Sequence, residues 1–116
     1  YLVASVNIGR LELLDLFEKT GFTEAYFIDE KGKLKGKTKV NSILTNNTQN
    51  LIQDNNPLYI EESSNISDAI VKISNFVGES VPVVDGDQIL KGVVTESDLF
   101  IEYLKVQDKI SEIEKD

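Results

Sequence analysis

Short apolar runs alternate along this chain with stretches in which apolar residues recur every three or four positions, a pattern that predicts strands alternating with helices. Asn7 is the expected N-cap of the first helix, and Gly21 is placed to end it in a left-handed conformation. The elements predicted in this first set are, in order, a strand at 2–6, a helix with Leu11, Leu14 and Phe17 on its apolar face, strands at 24–29 and 33–38, and a short helix at 40–44.

A second set of elements follows in the same order. Ser63, Ser64 and Asn65 supply an N-cap for its first helix, and Gly78 is expected to end that helix. The set comprises a strand at 58–60, a helix with Ile66, Ala69, Ile70, Ile73 and Val77 on its apolar face, strands at 81–84 and 89–94, and a helix that begins after Thr95.

The two sets superpose at a nearly constant offset along the chain. Leu14 then matches Ile70, and Phe17 matches Ile73. Further on, Leu34-Lys35-Gly36 matches Leu90-Lys91-Gly92. Because element order, turn positions and apolar register all agree, the sequence predicts an internal repeat of a β-α-β-β-α unit.

The residues between the two sets are polar and rich in asparagine, which is typical of a linker, although Leu51 and Ile52 are expected to pack on the core. The predicted organisation is a first repeat at 1–44, a linker at 45–57, a second repeat at 58–104 and a helical extension at 105–116. The last helix fits either a helix laid on the domain's own core or a self-association surface. Its apolar residues follow a heptad-like spacing: Leu99, Tyr103, Val106, Ile110 and Ile113.

The chain contains neither histidine nor cysteine, which removes the commonest general base, the commonest transition-metal ligand and any disulfide. No phosphate-binding loop motif is present, so the sequence predicts no enzymatic activity and no metal site. Asp85-Gly86-Asp87 fits a turn better than a pair of Mg²⁺ ligands. No apolar run approaches the roughly 20 residues that span a bilayer. Because the sequence begins at Tyr1, we expect a piece of a longer protein.

The net charge of −8 is unevenly distributed. Residues 1–57 are balanced, whereas residues 58–116 carry five basic and thirteen acidic side chains, which argues against nucleic acid as a partner. An alternating row of lysines would share one face of an extended strand, either as the solvated face of an edge strand or with Lys37 or Lys39 contacting phosphates or an acidic partner. The row consists of Lys31, Lys33, Lys35, Lys37 and Lys39.

The second set carries two motifs, Val81-Pro82-Val83-Val84-Asp85 and Gly92-Val93-Val94-Thr95-Glu96-Ser97-Asp98-Leu99, that resemble the cystathionine β-synthase (CBS) domain. Two such units in tandem resemble a CBS pair, or Bateman module. The resemblance implies an α+β fold in which two β-α-β-β-α CBS repeats pack sheet to sheet with pseudo-two-fold symmetry. The first repeat is degenerate, since Tyr26 replaces the motif proline.

The resemblance also implies a nucleotide site in the second repeat. Asp98 would bind the ribose, and Thr95 would lie at the phosphate side of the nucleotide. The adenine would be lined by Val81, Pro82, Tyr59 and Ile60. In the first repeat, Lys39 and Ser42 occupy the positions of Thr95 and Asp98, so at most one half-site is competent to bind ribose. Thr95 and Asp98 also form a plausible capping pair that needs no ligand.

The function implied is a regulatory module of a larger protein that senses ATP, ADP or AMP, with no required cofactor. Its layout is similar to the cytosolic C-terminal region of prokaryotic CLC-type chloride channels and transporters. The expected partners are a second copy of the chain and a transmembrane or enzymatic domain of the same protein, without nucleic acid or direct membrane insertion; the expected location is the cytoplasm. The alternatives are a ligand-free structural dimerisation module and a free-standing CBS-pair protein.

Overall fold

A computed structural model describes residues 1–45, 50–74 and 80–114, with side-chain environments as far as residue 105. Strands β1, β2 and β3 form one three-stranded sheet, and β4, β5 and β6 form another. The predicted α+β class and the doubled β-α-β-β-α order are therefore confirmed. The elements are β1 (Leu2–Ser5), α1 (Arg10–Thr20), β2 (Glu24–Ile28), β3 (Leu34–Lys39), α2 (Val40–Thr45), β4 (Ile60–Glu61), α3 (Ile66–Ile73), β5 (Ser80–Val84), β6 (Leu90–Thr95) and α4 (Glu96–Glu114).

The chain divides into two compact units, one formed by Tyr1–Leu58 with Asp87–Leu90 and the other by Tyr59–Gly86 with Lys91–Asp116. In the first unit, β1 runs parallel to β2 and β2 runs antiparallel to β3. Because parallel neighbours need a crossover connection, α1 lies between β1 and β2 in sequence. The buried core of this unit comprises Leu2, Ala4, Leu13, Phe17, Ala25, Phe27 and Ile43.

Helix α1 begins later than its sequence pattern predicts. Its N-cap is Gly9 rather than Asn7, because the Ile8 N–H donates to the Ser5 carbonyl (3.0 Å) and closes a turn before the helix starts. The buried face is consequently centred on Leu13 and Phe17, and the predicted core residue Leu11 is 81% exposed. The predicted stop at Gly21 is confirmed by its left-handed φ of 74°.

The polar linker covers the outer edge of β3. Lys37 and Asp54 exchange two backbone hydrogen bonds of 2.9 and 3.0 Å. The edge-strand interpretation predicts an edge open to solvent, whereas the edge of β3 is paired at Lys37. Leu51 and Ile52 pack against the core of the first unit, which confirms their prediction. Ile52 crosses directly over Gly36, where no side chain larger than hydrogen fits. The linker is therefore part of the packed structure.

In the second unit, β5 lies between β4 and β6, and β4 pairs in parallel with β5. The predicted cap of α3 is confirmed, since the Asn65 side chain accepts the Asp68 N–H at 2.8 Å. Strand β4 is shorter than predicted and shifted by two residues. The expected roles of Val77 and Gly78 lie outside the described residues, as do those of the side chains beyond residue 105 in the extension.

The turns between β2 and β3 and between β5 and β6 repeat the same contacts. Lys35 lies 3.8 Å from Asp29 in the first turn, and Lys91 lies 3.7 Å from Asp85 in the second. Both turns place one residue in the left-handed region: Gly32 (φ 85°) in the first and, at the matching position, Gln88 (φ 68°) in the second. The second turn thus has a side chain in a backbone conformation that favours glycine.

Relieving this strain should stabilise the protein. We expect Gln88→Gly to raise the free energy of unfolding by up to about 1 kcal/mol. Glycine removes the steric cost of the left-handed conformation, and the greater entropy of glycine in the unfolded chain offsets part of this gain. Gly32→Ala should lower it by roughly 1–2 kcal/mol, since the added methyl meets only an ordinary contact with Ile89 and the loss comes from φ alone. Urea unfolding of both variants tests this pair; a destabilised Gln88→Gly protein would contradict it.

Acid should weaken the β2–β3 turn. The Asp29 carboxylate accepts the backbone N–H groups of Lys33 and Lys31, both at 2.9 Å, and these bonds, that of Lys33 foremost, hold the pKa of Asp29 below its ordinary value of 3.8. A lowered folded-state pKa contributes stability that is present above the unfolded-state pKa and is lost as the pH falls through the folded-state value.

The corresponding measurement is the melting temperature between about pH 5 and pH 2. We expect the melting temperature of the wild-type protein to fall more steeply over this range than that of Asp29→Asn, which keeps an acceptor oxygen but cannot ionise. Parallel curves for the two proteins would show that Asp29 does not contribute to the acid transition.

Candidate functional site

The predicted capping box at the start of α4 is present. The Thr95 N–H donates to Asp98 Oδ2 at 3.0 Å, and the Asp98 N–H donates to Thr95 Oγ1 at 3.1 Å. Thr95 is half-buried, whereas Asp98 is exposed. A carboxylate with one oxygen in a cap retains lone pairs for further donors such as ribose hydroxyls. The same contacts also satisfy a helix start without any ligand.

The other predicted site residues lie on the strands beside this helix start. Ile60 of β4 pairs with Val83 of β5, one residue from Pro82. Because β5 and β6 are adjacent and joined by a short turn, they run antiparallel, which brings the beginning of β5 to the end of β6 at Thr95. The sheet topology therefore places the beginning of β5, with Val81 and Pro82, toward Thr95, whereas Ile60 pairs farther along β5.

Their burial differs from that of Asp98. The side chains of Val81, Pro82 and Ile60 are buried, so they present little surface. Tyr59 is half-buried, and the Lys72 ammonium lies 4.7 Å from the centroid of its ring, a cation–π contact. The roles of these four side chains in lining an adenine stay predictions.

Glu96, which the sequence pattern did not single out, places a second acidic side chain in the first turn of α4, two residues before Asp98. Its Oε2 atom is buried and has no hydrogen-bond partner among the described residues. The two acidic residues add negative charge at a helix start whose amide groups otherwise attract a phosphate. A glutamate directly after the threonine that caps a helix is common, so the sequence position of Glu96 alone does not indicate a ligand site.

Two members of the lysine row have acidic partners within the chain. Lys37 Nζ lies 3.5 Å from Glu24 Oε2 and 5.7 Å from the centroid of the Tyr26 ring. Lys35 pairs with Asp29, as described above. Contact of Lys37 or Lys39 with a phosphate or an acidic partner stays a prediction, and for Lys37 such a contact would compete with Glu24.

The first unit contains a cleft of about 270 Å³ that the sequence did not predict. Thr38 lies on its wall, is 0% exposed, and its Oγ1 atom has no hydrogen-bond partner among the described residues. An unsatisfied buried hydroxyl costs roughly 1–3 kcal/mol. The remaining wall is formed by polar residues Arg10, Ser42, Asn50 and Gln53 and by apolar residues Ile43, Leu51 and Ile52.

Two classes of site are not found in the part of the chain that the structure describes. Over these residues, no group of three or more acidic, histidine or cysteine side chains is placed to hold a metal ion. None of the helices, within the same residues, combines the length and apolar character that crossing a membrane requires.

Residues 51–105 match the family model of the CBS domain. These residues include Thr95, Asp98 and all four residues predicted to line the adenine. No curated protein sequence matches the chain. Similarity in fold to solved structures extends over most of the chain, including the first repeat, which lies outside the residues that the family model matches.

Three solved structures illustrate this similarity. The cytosolic domain of the Mg²⁺ channel MgtE in complex with ATP is 19% identical, with a TM-score of 0.74 over 86% of this chain and 44% of that one. CBSX2 from Arabidopsis thaliana in complex with AMP is 21% identical, with a TM-score of 0.70 over 92% and 89% of the two chains. The CBS domain pair of protein MJ0100, in complex with 5′-methylthioadenosine and S-adenosyl-L-methionine, is 26% identical, with a TM-score of 0.68 over 88% and 90%.

The chain spans less than half of the MgtE chain but nearly all of the other two. Its doubled β-α-β-β-α order, its two three-stranded sheets and these similarities agree with one another. The chain has the α+β fold of a tandem pair of CBS domains, and its second repeat, which carries the capping box, is matched by the CBS family model.

Proposed function

We propose that this chain is a regulatory CBS-pair module of a larger protein and that it binds an adenine nucleotide at the start of α4. The observation that carries the proposal is the exposed Asp98 carboxylate, held by Thr95 beside the end of β6. The complexes of MgtE with ATP, of CBSX2 with AMP and of MJ0100 with adenosine derivatives support the ligand class.

Regulation by such a module requires two arrangements of different ligand affinity. A bound nucleotide biases the host protein only as far as it favours one arrangement over the other. The proposed module has no catalytic role, acts on the cytoplasmic side and pairs with a second copy of itself. The nucleotide is then a signal rather than a substrate.

The charge at the start of α4 makes a prediction about the preferred nucleotide. Glu96 and Asp98 place two carboxylates at this position, so additional phosphates should contribute repulsion. We expect AMP to bind at least as tightly as ATP in the absence of Mg²⁺. Calorimetric titration of the chain with AMP, ADP and ATP tests both points; no binding at millimolar nucleotide would remove the sensor function.

For the host we propose an ion channel or transporter, with a CLC-type chloride channel as the specific candidate. The layout of a short linker and a second repeat ending near residue 104 supports it. The similarity to the MgtE cytosolic domain supports a magnesium channel as the second candidate. The gene sequence upstream of Tyr1 distinguishes them, and a catalytic domain encoded there would contradict both.

A ligand-free dimerisation module is the alternative function, and one feature of α4 favours it. Phe100, Ile101 and Leu104 are all exposed apolar residues on this helix. Sedimentation velocity across a range of protein concentrations, with and without AMP, separates the two functions. A stable dimer that is indifferent to nucleotide, together with no nucleotide binding by calorimetry, would favour the alternative.

A further inference from the structure

The cleft in the first unit has the composition of a ligand site that is separate from the start of α4. Its polar groups come from β3, α1, α2 and the linker, and its apolar wall is formed by Ile43, Leu51 and Ile52. A few polar groups set in an apolar wall are typical of small-molecule sites. At about 270 Å³, the cleft is slightly smaller than ligand pockets of roughly 300–1,000 Å³, which suits a small organic molecule.

Thr38 supplies an independent indication of a ligand. Its side chain is 0% exposed and lines the cleft, yet its hydroxyl has no partner among the described residues. Buried hydroxyl groups in native structures are nearly always hydrogen-bonded, so an unpaired one beside a cleft calls for a partner. Because the side chain has no exposed surface, a ligand oxygen would reach this hydroxyl once the wall of the cleft opens slightly around it.

The charge of the wall selects the class of ligand. Among the described residues of the wall, Arg10 is the ionisable one, and its guanidinium donates a hydrogen bond to the Ile43 carbonyl, which anchors it at the cleft. No acidic side chain is found among the wall residues that the structure describes. The second-repeat aspartate is replaced here by Ser42, so the negative charge that would repel an anion is missing from this position.

We propose that this cleft binds a small organic carboxylate with an apolar body. Its carboxylate would face Arg10, Ser42 and the Thr38 hydroxyl, and its apolar part would lie against Leu51 and Ile52. The site goes beyond the nucleotide site proposed above, since it uses a different unit, different residues and a different ligand class. The module would then respond to two chemically distinct signals.

Calorimetry on the 116-residue chain tests the proposal with acetate, butyrate and benzoate as probes and butyramide as the uncharged control. We expect at least one of the carboxylates to bind in the millimolar range and butyramide to bind about tenfold more weakly than butyrate. Asp98→Ala should leave carboxylate binding unchanged, which separates this site from the nucleotide site.

Two variants locate the site. Thr38→Val has nearly the same shape and removes the unpaired hydroxyl, so it should melt at an equal or higher temperature while binding the carboxylate about tenfold more weakly. Ser42→Asp adds a negative charge to the wall and should abolish binding of the carboxylate. The substitution lies in the first turn of α2, where an acidic side chain stabilises the helix. The proposal is overturned if none of the three carboxylates binds, or if Thr38→Val and Ser42→Asp bind them as the wild type does.

Discussion

Gly36→Ala should lower the free energy of unfolding by about 2–3 kcal/mol. A Cβ atom at this position would overlap the Ile52 side chain and come within 2.9 Å of the Asp54 carbonyl oxygen. The same carbonyl accepts the Lys37 N–H, so moving the linker away would break the backbone bonds that attach it to β3. Urea unfolding followed by circular dichroism measures the loss.

The internal repeat provides a matched control, because Gly92 occupies the corresponding position in the second repeat. Nothing lies within 4 Å of a Cβ atom built on Gly92, so Gly92→Ala should leave stability unchanged or slightly raised. Combining Gly36→Ala with Ile52→Ala should cost less than the sum of the two single changes, because the clash is partly removed. Equal stabilities for Gly36→Ala and Gly92→Ala would contradict the described path of the linker.

Asp98→Ala should weaken AMP binding by at least about tenfold, because hydrogen bonds from hydroxyl groups to a charged acceptor contribute about 1.5–3 kcal/mol each. Calorimetric titration of the wild-type and variant chains with AMP gives the ratio of dissociation constants. The matched control is Ser97→Ala, an exposed neighbour in the same turn, which should bind AMP as the wild type does.

The capping role of Asp98 has to be separated from ligand binding. Asp98→Ala also loses the bond from the Thr95 N–H and should cost about 1 kcal/mol of stability. Asp98→Asn retains an acceptor for that bond but loses the charge, so it should recover most of the stability and little of the AMP affinity. If Asp98→Asn or Asp98→Ala binds AMP with wild-type affinity, Asp98 is only a helix cap.

Local patterns in the sequence predict most of the fold. The recurrence of apolar residues every three or four positions marks α1 and α3, although in α1 it indicates Leu11 where the structure buries Leu13. The turn residues mark where strands end. The start of α1 is not predictable in this way, because Ser5 closes a turn that competes with the cap expected at Asn7. That turn is itself local and spans residues 5–8, so two local structures compete for the same stretch of backbone.

Long-range contacts explain what the sequence misses. The asparagine-rich linker has the composition of a loop, yet its isolated bridge to Lys37 covers the edge of the first sheet. The requirement for glycine at position 36 arises only once Ile52 crosses it. The cleft likewise joins Arg10, Thr38 and Asn50, which are far apart in sequence and belong to no shared motif.

The capping box at the candidate nucleotide site is predictable because its two residues are close in sequence. Thr95 and Asp98 have the spacing of a capping box, and the structure forms it. The same spacing serves a helix start with or without a ligand, so local geometry does not separate the two roles. The sequence pattern does not predict that Val81 and Pro82 are buried. A bound adenine needs exposed surface to pack against, and these two side chains present little of it.

The most direct test of the nucleotide site is a crystal structure of the chain with AMP bound. The expected result is a ribose whose hydroxyl groups donate to the Asp98 carboxylate, with the phosphate beside Thr95 at the start of α4. An AMP molecule bound elsewhere, or crystals grown in saturating AMP that contain none, would contradict the assignment of this helix start as the nucleotide site.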